Sequence, residues 1–133
     1  MRTDLGGSET ILLVEDADSV RKLVRRCLTE HGYSVIDAPS GLEALRLMSH
    51  YEGKVDMLVT DVVLPRLNGH ELAIRLTRQR PELRVLYMSG FPDDALSVKD
   101  VLEQDLVLIQ KPFSPALLLR KVREILDEVE AEG

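Results

Sequence analysis

The stretch Val55-Asp56-Met57-Leu58-Val59-Thr60-Asp61-Val62-Val63-Leu64-Pro65-Arg66-Leu67-Asn68-Gly69 decides the fold of this chain. A mostly apolar run closes on an acid, and a segment with proline, asparagine and glycine follows. Asn68-Gly69-His70-Glu71 then has the spacing of a helix capping box. The order is strand, loop, helix. A continuous apolar run, rather than an alternating one, suits a strand buried on both faces, and such strands belong to parallel sheets covered by helices on each side.

Outward from this segment, strand and helix patterns alternate to both ends. Strands are expected at 11–14, 34–37, 55–60, 84–88 and 106–109. In the first helix Val20, Leu23, Val24, Cys27 and Leu28 recur at i, i+3, i+4, i+7 and i+8, and Gly32 supplies the stop. The second helix opens at Ser40-Gly41-Leu42-Glu43, the third at Asn68, and Pro81 closes off the third. A shorter helix is expected over 93–103. The last begins at Ser114-Pro115 and should bury Leu118, Val122, Ile125, Leu126 and Val129. The pattern predicts an α/β fold: a flavodoxin-like (βα)5 doubly wound parallel sheet with strand order 2-1-3-4-5.

The chain has 133 residues and a net charge of −6, enough for one domain with a single good core. Residues 1–9 read as a linker or leader, 10–130 as the domain and 131–133 as a short tail. The acidic balance argues against nucleic-acid binding, which depends on neutralising phosphates. The basic residues Arg21, Lys22, Arg25 and Arg26 read as a solvated helix face. No apolar run reaches the roughly 20 residues that span a bilayer, and no signal peptide is visible. The lone Cys27 reads as a small core residue, so a reducing cytoplasm without membrane contact is the expected setting.

In a parallel sheet the C-terminal ends of the strands share one edge, where such folds build their sites. Glu15 and Asp16 follow the first strand, Asp61 the third, Ser89 the fourth and Lys111 the fifth. Each has an ordinary explanation on its own as a cap, turn former or pre-proline loop residue. Together they put three carboxylates, a hydroxyl and an ammonium at one edge. That set suits a divalent cation and a phosphoryl group.

These motifs resemble the receiver domain of two-component response regulators. The likeness rests on Leu12-Leu13-Val14-Glu15-Asp16, the Asp-x-x-x-Pro-x-x-x-Gly run from Asp61 to Gly69, Met88-Ser89-Gly90 and Gln110-Lys111-Pro112-Phe113. Tyr87 to Phe91 and Gln110 to Ser114 are similar to the C-terminal receivers of hybrid sensor histidine kinases. The resemblance implies that Asp61 is the phosphoacceptor, and that Glu15, Asp16, Asp61 and the backbone carbonyl of Val63 hold Mg²⁺. It further implies that Ser89 binds a phosphoryl oxygen and that Lys111 pairs with Asp61 or its phosphate. The implied partner is a histidine kinase or a histidine phosphotransfer protein, and a weak homodimer is compatible with the family. The implied role is a signalling phosphoacceptor that assists its own phosphotransfer and dephosphorylation, not a metabolic enzyme, with no output domain expected after the last helix.

Leu108 departs from the family pattern, which often has an aromatic three residues before the lysine. Val63 and Phe91 are apolar where other receivers often carry polar groups. Two other functions use similar parts. A Mg²⁺-dependent phosphohydrolase would need an acid where Val63 stands, and a flavin binder would need a phosphate loop where Glu15-Asp16 would repel the phosphate. His31, His50 and His70 have no partners at metal-ligand spacing.

Overall fold

The computed structural model describes residues 6–90 and 107–132, the last four by backbone alone. In chain order the elements are β1 (Thr10–Val14), α1 (Asp18–Glu30), β2 (Ser34–Ala38), α2 (Gly41–His50), β3 (Met57–Asp61), α3 (Gly69–Gln79), β4 (Arg84–Ser89), β5 (Leu108–Gln110) and α4 (Pro115–Glu132). All strand pairs are parallel, and the sheet order is β2-β1-β3-β4-β5. This is the expected doubly wound topology, with its switch point between β1 and β3. The helix expected over 93–103 lies outside the described residues, as do Phe91 and Leu106.

Alternate strand residues feed two cores, because successive side chains leave opposite faces of a sheet. Leu12, Val14 and Leu58 pack with Ala44 and Met48 of α2 and Leu72 and Leu76 of α3. Ile11, Leu13, Met57 and Val59 pack on the other face with Val24 and Leu28 of α1 and Leu118 and Val122 of α4. Ile11 to Val14 and Met57 to Val59 are fully buried, which explains why their sequences do not alternate. Ser40 Oγ, Asn68 Oδ1 and Ser114 Oγ accept from the backbone N–H groups of Glu43, Glu71 and Leu117, so three expected caps are formed.

Several expectations need correction. β3 starts at Met57 rather than Val55, because Asp56 is used to tie neighbouring strand starts together. Its N–H donates to the Thr10 carbonyl, its carbonyl accepts from Arg84 N–H, and its carboxylate accepts from Thr10 N–H at 2.9 Å. Leu23 falls on the apolar period of α1 yet is 67% exposed. Cys27 is only half-buried, with burial pushing its thiol pKa up, and Leu126 is likewise only partly buried. The last helix continues through Glu132, two residues into the segment read as a tail.

Residues 6–9 are not a free linker. Gly7 N–H donates to the His31 carbonyl, and the buried Arg123 guanidinium bonds the Gly6 carbonyl, the Glu9 and Asp127 carboxylates and the Tyr33 hydroxyl. Gly32 closes α1 at φ +97°, and a Cβ there would stand 2.3 Å from the Gly7 carbonyl oxygen.

Candidate metal and phosphoryl site

Parallel register brings the acids together. Val14 pairs with Thr60, so the residues that follow, Glu15 and Asp61, meet where β1 and β3 end. Glu15 is 1% exposed and Asp61 5%, whereas Asp16 faces solvent. One carboxylate oxygen from each of Glu15, Asp16 and Asp61 lies within 4.8 Å of the others.

Lys111 enters from β5. Its Nζ stands 2.7 Å from Glu15 Oε2 and 2.7 Å from Asp61 Oδ1, bridging the two buried acids. Its N–H donates to the Ser89 carbonyl at 2.7 Å, which ties the tips of β4 and β5 together, and the following Lys111–Pro112 peptide is cis. Ser89, the last residue of β4, is 6% exposed. Of the expected site residues, the structure brings Glu15, Asp16, Asp61 and Lys111 into one cluster. Ser89 is tied to it through Lys111. Val63 lies two residues past Asp61 in the loop, 43% exposed.

The Asp61 backbone is clamped. Thr60 Oγ1 donates to the Asp61 carbonyl at 3.1 Å, while Val62 N–H donates to the Met88 carbonyl and Gly69 N–H to the Val62 carbonyl. A Cβ on Gly69 would fall 1.8 Å from the Asp61 carbonyl oxygen, so the glycine of the Asp-x-x-x-Pro-x-x-x-Gly run is required by close approach. In the same loop Arg66 takes φ 69°, a left-handed conformation that is uncommon outside glycine.

Two carboxylates against one ammonium leave excess negative charge. Burial first, then the hydrogen bond to Glu15, push the Asp61 carboxyl up to about 8, against the pull of Lys111. Burial also disfavours the Glu15 anion, but hydrogen bonds from Asp61 and Lys111 outweigh it and hold that carboxyl below its ordinary range. Burial works against the Lys111 cation too, and its two acidic partners reverse the effect and raise its pKa. Burial and the neighbouring Glu15 thus favour the protonated form of Asp61 over that of Glu15. Clustered oxygen donors with surplus charge fit Mg²⁺, which prefers one or two carboxylates together with water and phosphate oxygens.

An apolar hollow of about 750 Å³ opens beside these acids, lined among others by Ala17, Val20, Leu23 and Val24 of α1 and by Pro112 and Phe113. The exposure of Leu23 follows from this position, since it faces the hollow rather than the core. Sequence reasoning also missed Arg21. Its side chain is only 13% exposed, and it binds the Glu15 carbonyl, Asp18 and Asp37, so it does not belong to a solvated face.

The family model described as response regulator receiver domain matches residues 11–123. The chain belongs to this family. The sensor kinase CckA of Brucella abortus is 40% identical over 126 residues, covering 95% of this chain and 13% of the kinase. The chain thus spans a small part of that relative. The response regulator receiver protein CpdR of the same organism is 31% identical over 116 residues, covering 87% of this chain and 95% of CpdR. Among solved structures, the receiver domain of the hybrid histidine kinase CckA superposes with a TM-score of 0.72 at 28% identity, covering 88% of this chain and 98% of that one. A CheY-like receiver from Methanospirillum hungatei gives 0.82 at 27% identity, covering 96% and 100%. The protein is accordingly a receiver domain of two-component signalling, related to receivers of hybrid kinases, and such domains are signalling modules rather than metabolic enzymes. No helix among the described residues is long and apolar enough to cross a membrane.

Proposed function

We propose that Asp61 accepts a phosphoryl group from a phosphohistidine of a histidine kinase or histidine phosphotransfer protein, with Mg²⁺ held by Glu15, Asp16, Asp61 and the Val63 carbonyl. The observation that carries this reading is the bridging of two buried acids by Lys111 at the edge where β1, β3 and β5 end. The Asp61 carboxylate, whose proton would pass to solvent as the metal site fills, forms an oxygen–phosphorus bond, the phosphorus–nitrogen bond breaks, and its electron pair leaves with the imidazole. The product is an acyl phosphate on Asp61.

Catalysis here is alignment and charge neutralisation, because phosphoryl transfer needs little covalent help from the protein. Bound Mg²⁺ supplies positive charge to the phosphoryl oxygens and to the crowded carboxylates. Lys111 moves from bridging Glu15 and Asp61 to pairing with the new phosphate. Ser89 donates a hydrogen bond to a phosphoryl oxygen, which draws the β4 tip inward and alters the surface presented to partners. Loss of the phosphoryl group to water completes the cycle. The apolar hollow beside Lys111, with Leu23 at its rim, supports docking of the histidine-bearing partner next to the acceptor. We place the functional domain at residues 10–130, flanked by the pinned residues 6–9 and by the end of α4, working in the cytoplasm, in a free-standing regulator or as part of a hybrid kinase.

The test is labelling by acetyl phosphate. Wild-type protein should form an acid-stable, base-labile phosphoprotein with Mg²⁺ and none with excess EDTA, and Asp61→Asn should form none. Equal labelling of Asp61→Asn, or labelling independent of divalent cation, would refute the assignment.

A further inference from the structure

The turn from Glu15 to Ala17 carries two of the three clustered carboxylates and then enters α1. Ala17 occupies the cap position of that helix and gives no side-chain cap, unlike Ser40, Asn68 and Ser114 at the other helices among the described residues. Something else must hold the turn. Glu15 Oε1 accepts from Ala17 N–H at 3.1 Å, and Glu15 N–H donates to the Ala38 carbonyl at 3.2 Å. The Glu15 carbonyl, at the centre of the turn, accepts from Arg21 Nη1 at 2.9 Å. The same guanidinium is fixed by Asp18 at 2.6 Å through Nη2 and by Asp37 at 3.2 Å through Nε.

We propose that Arg21 is a positioning residue for the magnesium site: its three-way anchored guanidinium holds the Glu15–Asp16 peptide in the geometry that a small octahedral cation requires. This rests on the reading of Glu15, Asp16 and Asp61 as magnesium ligands. Arg21 touches none of those carboxylate oxygens in the bonds it makes. It acts through the main chain between two ligands. Arginine suits the task because its planar fork keeps several donors in fixed relation, whereas a lysine ammonium on a flexible stem cannot span a carbonyl and two carboxylates together.

Two effects oppose each other. A cation beside a cation site repels the ion, so simple electrostatics predicts that removing Arg21 tightens magnesium. Positioning predicts the reverse. Asp18 and Asp37 neutralise the guanidinium locally, and the groups that orient metal ligands without touching the metal are worth about 10- to 100-fold in metal affinity. The sign of the change therefore separates the two. Arg25 supplies the control: it also pairs with Asp37 and is a positive charge on the same helix, but it makes no bond to the Glu15 carbonyl in the structure.

The experiment measures Mg²⁺ and Ca²⁺ affinity by isothermal titration calorimetry for wild type, Arg21→Met, Arg21→Lys and Arg25→Met, with folding checked by circular dichroism. Mg²⁺ demands near-ideal octahedral geometry and Ca²⁺ tolerates a looser cage. Arg21→Met and Arg21→Lys should weaken Mg²⁺ by about tenfold and Ca²⁺ by clearly less, while Arg25→Met leaves the ratio of the two unchanged. If Arg21→Met does not fold, Arg21→Lys carries the test. Tighter magnesium binding, unchanged affinity, or an equal loss for both ions in the Arg21 variants would overturn the proposal, as would an Arg25→Met change matching theirs. A wild-type protein that binds no Mg²⁺ would instead overturn the metal-site reading itself.

Discussion

Folding without metal should take up a proton at Asp61, and this makes stability depend on pH in the direction opposite to that of an ion-paired acid whose pKa is lowered. The carboxyl moves from an ordinary 3.8 in the unfolded chain to about 8 in the fold. Between those values the native state keeps a proton that the unfolded state has lost. Stability is then greatest at low pH and falls as pH rises through the folded value, with a slope of up to about 1.4 kcal/mol per pH unit. From about pH 5 to about pH 8 the loss reaches at most about 4 kcal/mol, or roughly 15 °C in Tm for a domain of this size. Glu15, whose carboxyl is held low, loses its contribution only when pH falls below the ordinary carboxylate range, so it adds no slope in this window. Lys111 stays charged throughout it, because its pKa is raised. The assay is urea denaturation at half-unit pH steps in EDTA, with Asp61→Asn as the baseline for every other titrating group. Wild type minus Asp61→Asn should slope downward, and saturating Mg²⁺ should abolish the slope, because an ion held by these carboxylates would require them deprotonated. A flat or rising difference in EDTA would refute the argument that burial and Glu15 keep Asp61 protonated.

Other substitutions test the remaining parts. Asp16→Asn removes an exposed member of the cluster, so metal-free stability should rise by no more than about 0.5 kcal/mol while Mg²⁺ affinity falls sharply, read by thermal melts in EDTA and by calorimetry. Gly69→Ala places a methyl 1.8 Å from the Asp61 carbonyl oxygen, and the forced backbone shift should cost more than about 3 kcal/mol in urea denaturation. Arg123→Met leaves Glu9 and Asp127 without their buried cation and should cost about 2–4 kcal/mol. It should also release Gly7, whose amide would lose hydrogen-exchange protection before those of β1; retained protection would count against the latch.

The fold was legible because strands buried on both faces announce themselves as unbroken apolar runs, and Ser40, Asn68 and Ser114 mark helix starts by local chemistry alone. The clustering of the charged groups was legible for a topological reason. Once five parallel strands are granted, Glu15, Asp16, Asp61, Ser89 and Lys111 have one edge to share, however far apart they lie in the chain. What stayed hidden depended on long-range partners or on which side of a helix faces empty space. Leu23 keeps the period of a core residue, and no local signal distinguishes a core from a hollow beside a binding site. Glu9 and Arg123 pair across 114 positions, so residues 6–9 read as a loose lead-in although they are pinned. Arg21 read as solvated because Asp37 and the Glu15 carbonyl meet it only after β2 docks on β1. These omissions share a consequence. Sequence patterns name the groups that gather at the sheet edge, whereas the groups that tie those elements in place are set by tertiary pairing. For a cluster of like charges, the second set decides whether the first can stand close enough to bind.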